Sequence, residues 1–191
     1  MQQDVLSVVR NVARLMSLQN SGLLDTPPEE VFDRFTRLAA HLLRARTALL
    51  SLVDADRQFF KSAKGLDEPW ASRRETPLSY SICKHVVEAG TGLVIPDGRV
   101  HPMVRDSPAV QENCIAYAGM PVYSNDGHIL GTLCVMDNRP RQWTTAELDA
   151  LRDLAGCVTE EISLRTRLGA AEAAYRDSQA RLHKLSKGSV Q

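Results

Sequence analysis

The sequence predicts an α+β domain: a central sheet of short strands with helices at both ends of the chain. Three observations predict it. Apolar residues recur every three or four positions over residues 4–18 and 28–44, and from Thr47 this gives way to short apolar runs with β-branched members. Two runs, Ala116 to Val122 and His128 to Met136, flank Asn125-Asp126-Gly127, a composition that supplies the left-handed backbone positions of a tight turn between paired strands. From Leu148 to Leu185 a spacing near 3.5 residues returns and continues for longer than a small domain can bury.

In chain order, Val5, Val8, Val9, Val12, Leu15, Met16 and Leu18 predict one amphipathic helix that ends at Ser21-Gly22. Asp25-Thr26-Pro27-Pro28-Glu29-Glu30 reads as a helix start, with a capping residue, prolines where amides are unpaired anyway, and carboxylates near the positive end of the dipole. The helix that follows carries Val31, Phe32, Phe35, Leu38, Ala39, Leu42 and Leu43 on one side. Ala48 to Val53 and Arg57 to Lys64 read as strands about the turn Asp54-Ala55-Asp56. After an irregular stretch marked by Gly65, Pro69 and Pro77, helical spacing appears in the second half of Leu78 to Ala89 and stops at Gly90-Thr91-Gly92. Leu93 to Asp97 is a further short strand, and residues 98–114 form a long connection of the kind that covers ligands. Gly131 within the second hairpin strand predicts a close backbone approach or a bulge. The last helix opens at Trp143-Thr144-Thr145-Ala146-Glu147, a threonine cap with an acid in the first turn.

The chain has 191 residues, 43% of them hydrophobic, enough for one domain with a core and appended helix. Residues 1–20 are expected to form an N-terminal dimerisation helix, 21–160 the domain and 161–191 a C-terminal coiled-coil signalling helix. With 23 basic and 23 acidic residues interspersed, the chain offers no field for nucleic acid or an anionic membrane. The first residues lack the basic start and apolar core of a signal peptide, and no run is long enough to span a bilayer, so a cytoplasmic location is expected. Four cysteines without a CxxC pair suggest neither a zinc site nor a disulfide framework.

Chemistry concentrates between Ser79 and His85, where a thiol, an imidazole and two serine hydroxyls lie within seven positions. Cys83, beside Lys84 and near a helix start, has the setting of a lowered-pKa thiol, but a small buried packing residue is the favoured reading. His85 has no second ligand at helical spacing, so no metal or haem is predicted. Asp97 and Asp137 end strands and read as turn caps, and no pair of carboxylates stands out as an acid and base.

Several stretches resemble the GAF domains of bacterial signalling proteins. Leu23-Leu24-Asp25-Thr26-Pro27-Pro28-Glu29-Glu30-Val31-Phe32-Asp33, Leu50-Ser51-Leu52-Val53-Asp54 and Arg57-Gln58-Phe59-Phe60-Lys61-Ser62 are similar to the family's opening. Glu75-Thr76-Pro77 with Ser79 to His85 resembles a central motif, and Tyr117 to Val122 with Gly127 to Asp137 resembles the closing strands. The resemblance covers about residues 14–165. It implies a central antiparallel sheet with helices on one face and a ligand-sized cavity on the other, in a domain that regulates rather than catalyses. It also implies an output partner, a histidine kinase of a two-component system or a cyclic-dinucleotide enzyme. Bilin-binding relatives place a histidine directly after the attachment cysteine, whereas Lys84 intervenes here, which argues against a bilin. The motif of the family's free-methionine-sulfoxide reductases is not visible around Cys83, Cys114 or Cys134.

The expected function is therefore a homodimeric sensory domain that binds an unidentified small molecule and signals through its last helix. Phe59, Trp70, Ser79, Ser81, Cys83, His85, Val104, Tyr117 and Tyr123 are the expected cavity residues. Two alternatives stay open: a thiol-based redox sensor or enzyme using Cys83, and a dimerising module with no ligand.

Overall fold

The structure, a computed structural model, describes residues 5–188. Helices α1 (Val5–Val9), α2 (Val12–Asn20) and α3 (Glu30–Leu42) precede strands β1 (Thr47–Val53) and β2 (Arg57–Lys64). Then come α4 (Trp70–Arg73), β3 (Glu75–Pro77), a 3-10 turn (Leu78–Tyr80), α5 (Cys83–Ala89), β4 (Leu93–Ile95) and α6 (Pro108–Gln111). The hairpin β5 (Ala116–Tyr123) and β6 (Ile129–Asp137) leads into α7 (Thr145–Gly188). The six strands form one sheet in the order β3-β2-β1-β6-β5-β4, and every neighbouring pair is antiparallel.

All seven residues of β1 are buried, because both faces of the sheet are covered, and this is why its sequence is a continuous apolar run rather than an alternation. Ala48, Leu50 and Leu52 meet Phe32 and Ala39 of α3 and Leu151, Ala155, Val158 and Ile162 of α7. Leu49 and Val53, one step out of phase, meet α5 and the 98–114 connection through Cys83, Val86, Val104 and Val110. The register of β1 against β2 shifts between Leu50 and Ser51, where Leu50 faces Ser62 and Ser51 faces Phe60. Lys61 is the extra residue of this bulge, and Lys61 and Ser62 both reach the α3 layer. At Gly131 a Cβ would stand 1.9 Å from the Ser51 carbonyl oxygen, so β1 and β6 can approach only over a glycine.

The amino-terminal stripe is not one helix. The backbone leaves helical geometry at Asn11, whose side chain accepts from the Arg14 amide and caps α2. Buried Arg14 donates from Nε to the Val9 carbonyl and from Nη1 to that of Ile129, tying the break to β6. Asp25 does not cap α3 either. It sits at φ 58° and pairs with Arg57, and the helix begins five residues later at Glu30.

At α7, Thr144 and Glu147 form a reciprocal capping box: the Glu147 carboxylate accepts from the Thr144 amide, and Thr144 Oγ1 accepts from the Glu147 amide. The first half of the α7 stripe, Leu151 to Ile162, belongs to the core of its own domain and offers nothing to a second chain. Beyond it Leu168 and Tyr175 are exposed, whereas the side chains of Leu182 and Leu185 lie outside the described residues. Among the described residues no helix is long and apolar enough to cross a membrane.

A candidate ligand cavity and its thiol wall

A cavity of about 100 Å³ lies on the α5 face of the sheet. Its apolar walls include Leu49 and Phe60 from the sheet, Ile82 before α5, Ala109 of α6 and Met136 of β6. Its polar wall is organised by Gln58. The Gln58 Oε1 accepts from Ser81 (2.7 Å) and Ser51 (3.2 Å), and its Nε2 donates to Thr76 (2.7 Å). The amide is 6% exposed and bonded at both ends, which holds β1, β2, β3 and the start of α5 in one arrangement.

The mouth is bordered by a latch. Glu112, just after α6, accepts from Trp70 Nε1 (3.0 Å) of α4 through one carboxylate oxygen and from the Tyr80 hydroxyl (3.2 Å) through the other. The Trp70 and Tyr80 rings stand 5.1 Å apart, tilted by 58°. All three groups are at the surface, where water competes for such bonds, so the latch is the part of the wall most easily opened.

The floor carries sulfur. Cys83 at the first turn of α5 and Cys134 on β6 are both buried, with their Sγ atoms 3.8 Å apart. Tyr117 donates its hydroxyl to Cys83 Sγ at 3.4 Å. It does so by folding over Gly119 two positions along β5, where a Cβ would stand 2.2 Å from the Tyr117 hydroxyl oxygen. Thr132 is fully buried and its hydroxyl has no hydrogen-bond partner, although it lies close enough to favour the thiolate of either cysteine. Cys83 is held below the usual thiol range by its bond to Cys134, then by the Thr132, Tyr117 and Ser51 hydroxyls, against the opposing effect of burial. Cys134 is pushed up by its bond to Cys83 and by burial. Cys114 also faces the cavity, and burial, then the charge on Cys83, pushes it up to about 12.

Of the nine residues expected from the sequence, Trp70, Cys83 and Tyr117 line this cavity. The other six do not reach it. Alternation along β2 turns Phe59 into the α3 layer, beneath the Arg57 and Arg74 guanidiniums, and gives the cavity Phe60 instead. Ser79 is exposed in the 3-10 turn, and Ser81 lies behind Gln58, where it also accepts from the Lys84 amide. His85 follows Cys83 by two positions, roughly 200° around a helix, and faces Glu88 and His101 rather than the cavity. Val104 is buried among residues of the 98–114 connection. Tyr123 lies where β5 meets α7, its amide bonded to Thr159 Oγ1 (3.1 Å). Gln58, Tyr80, Glu112 and Cys114 were absent from the sequence-based set. The alternation of β2 contained the signal for Gln58 and Phe60, but the connection gave none for Glu112.

Behind the sheet, fully buried Lys61 is paired with Glu29, and its Nζ also donates to Thr26 Oγ1 (2.6 Å) and the Pro27 carbonyl (2.9 Å). Glu29 is paired in turn with Arg165 of α7, which binds Glu161. The Phe32 ring lies between the two cations, 5.5 Å from Lys61 Nζ and 5.0 Å from the Arg165 guanidinium carbon. Arg165 is thereby committed to its own domain. Among the described residues no three His, Cys, Asp or Glu side chains converge as a metal requires.

An antiparallel sheet with long helices on one face and an apolar cavity on the other defines an α+β domain of the GAF fold class. The chain belongs to the GAF domain family, whose sequence profile matches residues 27–162. It is similar to a cyclic di-GMP phosphodiesterase of Pseudomonas aeruginosa, with 34% identity over 122 residues. That match takes in 63% of this chain and only 20% of the relative. Among solved structures it superposes on the GAF domain of a phosphoenolpyruvate-protein phosphotransferase from Coxiella burnetii, with a TM-score of 0.62 and 18% identity. The coverage is 88% of this chain and 98% of that one. A free methionine-R-sulfoxide reductase from Neisseria meningitidis shares the fold, with a TM-score of 0.58 and 17% identity, covering 79% and 87% of the two chains.

Proposed function

We propose that this domain is a cytoplasmic regulatory sensor that takes a small, mainly apolar molecule beneath α5. It passes the bound state to α7 within a homodimer, and so to an output domain, a kinase or a cyclic-dinucleotide enzyme. The observation that carries this reading is the placement of β2. One face gives Gln58 and Phe60 to the cavity, and the bulge gives Lys61 to the Glu29–Arg165 pair on α7. A shift of β2 is therefore felt by the long helix. The cavity is smaller than the roughly 300 Å³ usual for ligand sites, so binding is coupled to release of the Glu112 latch. The similarity to a cyclic di-GMP phosphodiesterase supports the output assignment.

The test is a thermal-shift screen of small metabolites, followed by hydrogen exchange. A ligand at 100 times its Kd adds about 2.7 kcal/mol of stability, and filling the cavity by Ala109→Phe abolishes that gain. With ligand bound, exchange in α7 changes in the wild type and stays unchanged in Glu29→Gln. A screen without a hit, or a hit indifferent to Ala109→Phe, rejects the sensor reading and leaves a dimerising module.

A further inference from the structure

The cavity floor holds chemistry that a passive lining does not need. A single buried cysteine packs as a small apolar residue, but here two face each other with their sulfurs 3.8 Å apart, one on α5 and one on β6. Hydroxyls surround them: Tyr117 donates to Cys83, and the Thr132 hydroxyl, fully buried beside both cysteines, has no hydrogen-bond partner. A hydroxyl buried without a partner is unfavourable, and a thiolate between Tyr117 and Thr132 supplies the missing acceptor. Cys83 borders the cavity, whose volume of about 100 Å³ exceeds the ~30 Å³ share of a water molecule enough to admit a two-oxygen oxidant.

We propose that Cys83 and Cys134 are a peroxide-oxidised thiol pair, in which Cys83 reacts and Cys134 resolves it to a disulfide joining α5 to β6. The Cys83 thiolate attacks one oxygen of hydrogen peroxide. The O–O bond breaks, and the leaving hydroxide takes up the proton Cys83 released, forming water and a Cys83 sulfenic acid. The Cys134 sulfur then attacks the sulfenic sulfur as its own proton passes to the departing hydroxyl, giving a second water. Two thiols and one peroxide thus become one disulfide and two waters. The sulfurs must close from 3.8 Å to ~2.05 Å, a movement of α5 towards the sheet that draws Cys83 from the cavity wall. Oxidation state thereby sets the shape of the cavity, whether or not a metabolite occupies it.

The experiment treats the purified chain with limiting hydrogen peroxide, alkylates the remaining thiols in denaturant and maps them. No Lys or Arg separates Cys114 from Cys134, so trypsin leaves both in one peptide, and a second protease must part them. The expected result is loss of two of the four thiols, Cys83 and Cys134, as a linked pair restored by dithiothreitol. Exposed Cys157 stays alkylatable, and Cys114→Ser still forms the Cys83–Cys134 link. In Cys134→Ser, dimedone labels Cys83 and no intramolecular link forms. A Cys83–Cys114 link, or oxidation of Cys157 while Cys83 stays reduced, overturns the proposal. The wild-type map decides this alone where Cys134→Ser fails to fold. A chain with an empty ligand screen still gives the linked pair, so this proposal and the sensor reading fail separately.

Discussion

His85 shows how a site residue chosen for its chemistry is assigned a different role by its position on a helix. It lies outside the cavity, and burial, then Lys84 and His101, depress its pKa to about 4. Glu88, 3.6 Å from Nδ1, moderates the cost of charging it without reversing it. In the unfolded chain the imidazole titrates near 6.5 (about the model-peptide value), so the sign of its effect is fixed. Above that pH His85 is neutral in both states and contributes no pH dependence. As the pH falls from about 6.5 to about 4, the unfolded chain takes up a proton that the folded one refuses, and stability declines. Thermal unfolding of the wild type should therefore lose midpoint temperature steadily across this window, and His85→Gln should flatten that part of the profile. An unchanged slope would mean that another group accounts for it. Gln58 is the opposite case. It looked like an ordinary polar residue in an apolar strand, yet it is the amide that three hydroxyls meet.

Among the elements, β2 carries most of the design, and its bulge gives the second prediction. Lys61 is 0% exposed whereas Glu29 is 30% exposed and also paired with Arg165. Removing the carboxylate with Glu29→Gln leaves a buried ammonium without its counter-charge, at a cost of about 3 kcal/mol. Removing the ammonium with Lys61→Met leaves Glu29 with Arg165 and puts an apolar chain in a dry slot, at a smaller cost of about 1 kcal/mol. Urea denaturation should rank Glu29→Gln as the less stable of the two; the reverse order would show that Arg165 alone does not satisfy Glu29. The Glu29 carboxyl is held down at about 2 by its bond to Arg165, then by Lys61, so its contribution is present above the ordinary carboxyl range and is lost as pH falls from about 4.5 towards 2. The strands other than β3, the β5–β6 hairpin and the α7 cap were legible in the sequence because each rests on local signals: apolar period, turn residues and a capping box; β3 fell in the stretch read as irregular. The bulge was not, because one added residue changes no local pattern and shows only against its partner strand. The α1–α2 break was hidden for a related reason. The apolar spacing runs straight through Asn11, and the group that secures the break, Arg14, is satisfied by a carbonyl of β6 far along the chain. The Glu112 latch depends in the same way on α4 and the 3-10 turn, so half of the cavity wall could be read only after folding.

At the scale of the molecule, α7 has two parts with different duties. Leu151, Ala155, Val158 and Ile162 are each 2% exposed or less, and the full burial of a Leu, Val or Ile among them contributes about 1.5–3 kcal/mol. After Arg165 the helix continues for about 35 Å at 1.5 Å per residue, and Leu168 and Tyr175, seven positions apart, are 61% and 66% exposed. Val12 and Met16 of α2 are exposed as well. The β5–β6 turn holds both helices at one end of the domain, with Ser17 of α2 bonded to Asp126 at 2.6 Å and the Ser163 carbonyl of α7 bonded to Asn125 at 3.4 Å. Apolar side chains at a seven-residue repeat on a helix with no core beneath them fit a second copy of the same helix. Sedimentation at tens of micromolar should therefore find a dimer. Leu168→Glu with Tyr175→Glu should weaken association at least tenfold, about 1.4 kcal/mol, and leave the unfolding of the domain unchanged, because neither side chain touches its core. A wild-type monomer at that concentration, or a double variant that still dimerises, would place the interface elsewhere and remove the route by which α7 is proposed to carry a signal.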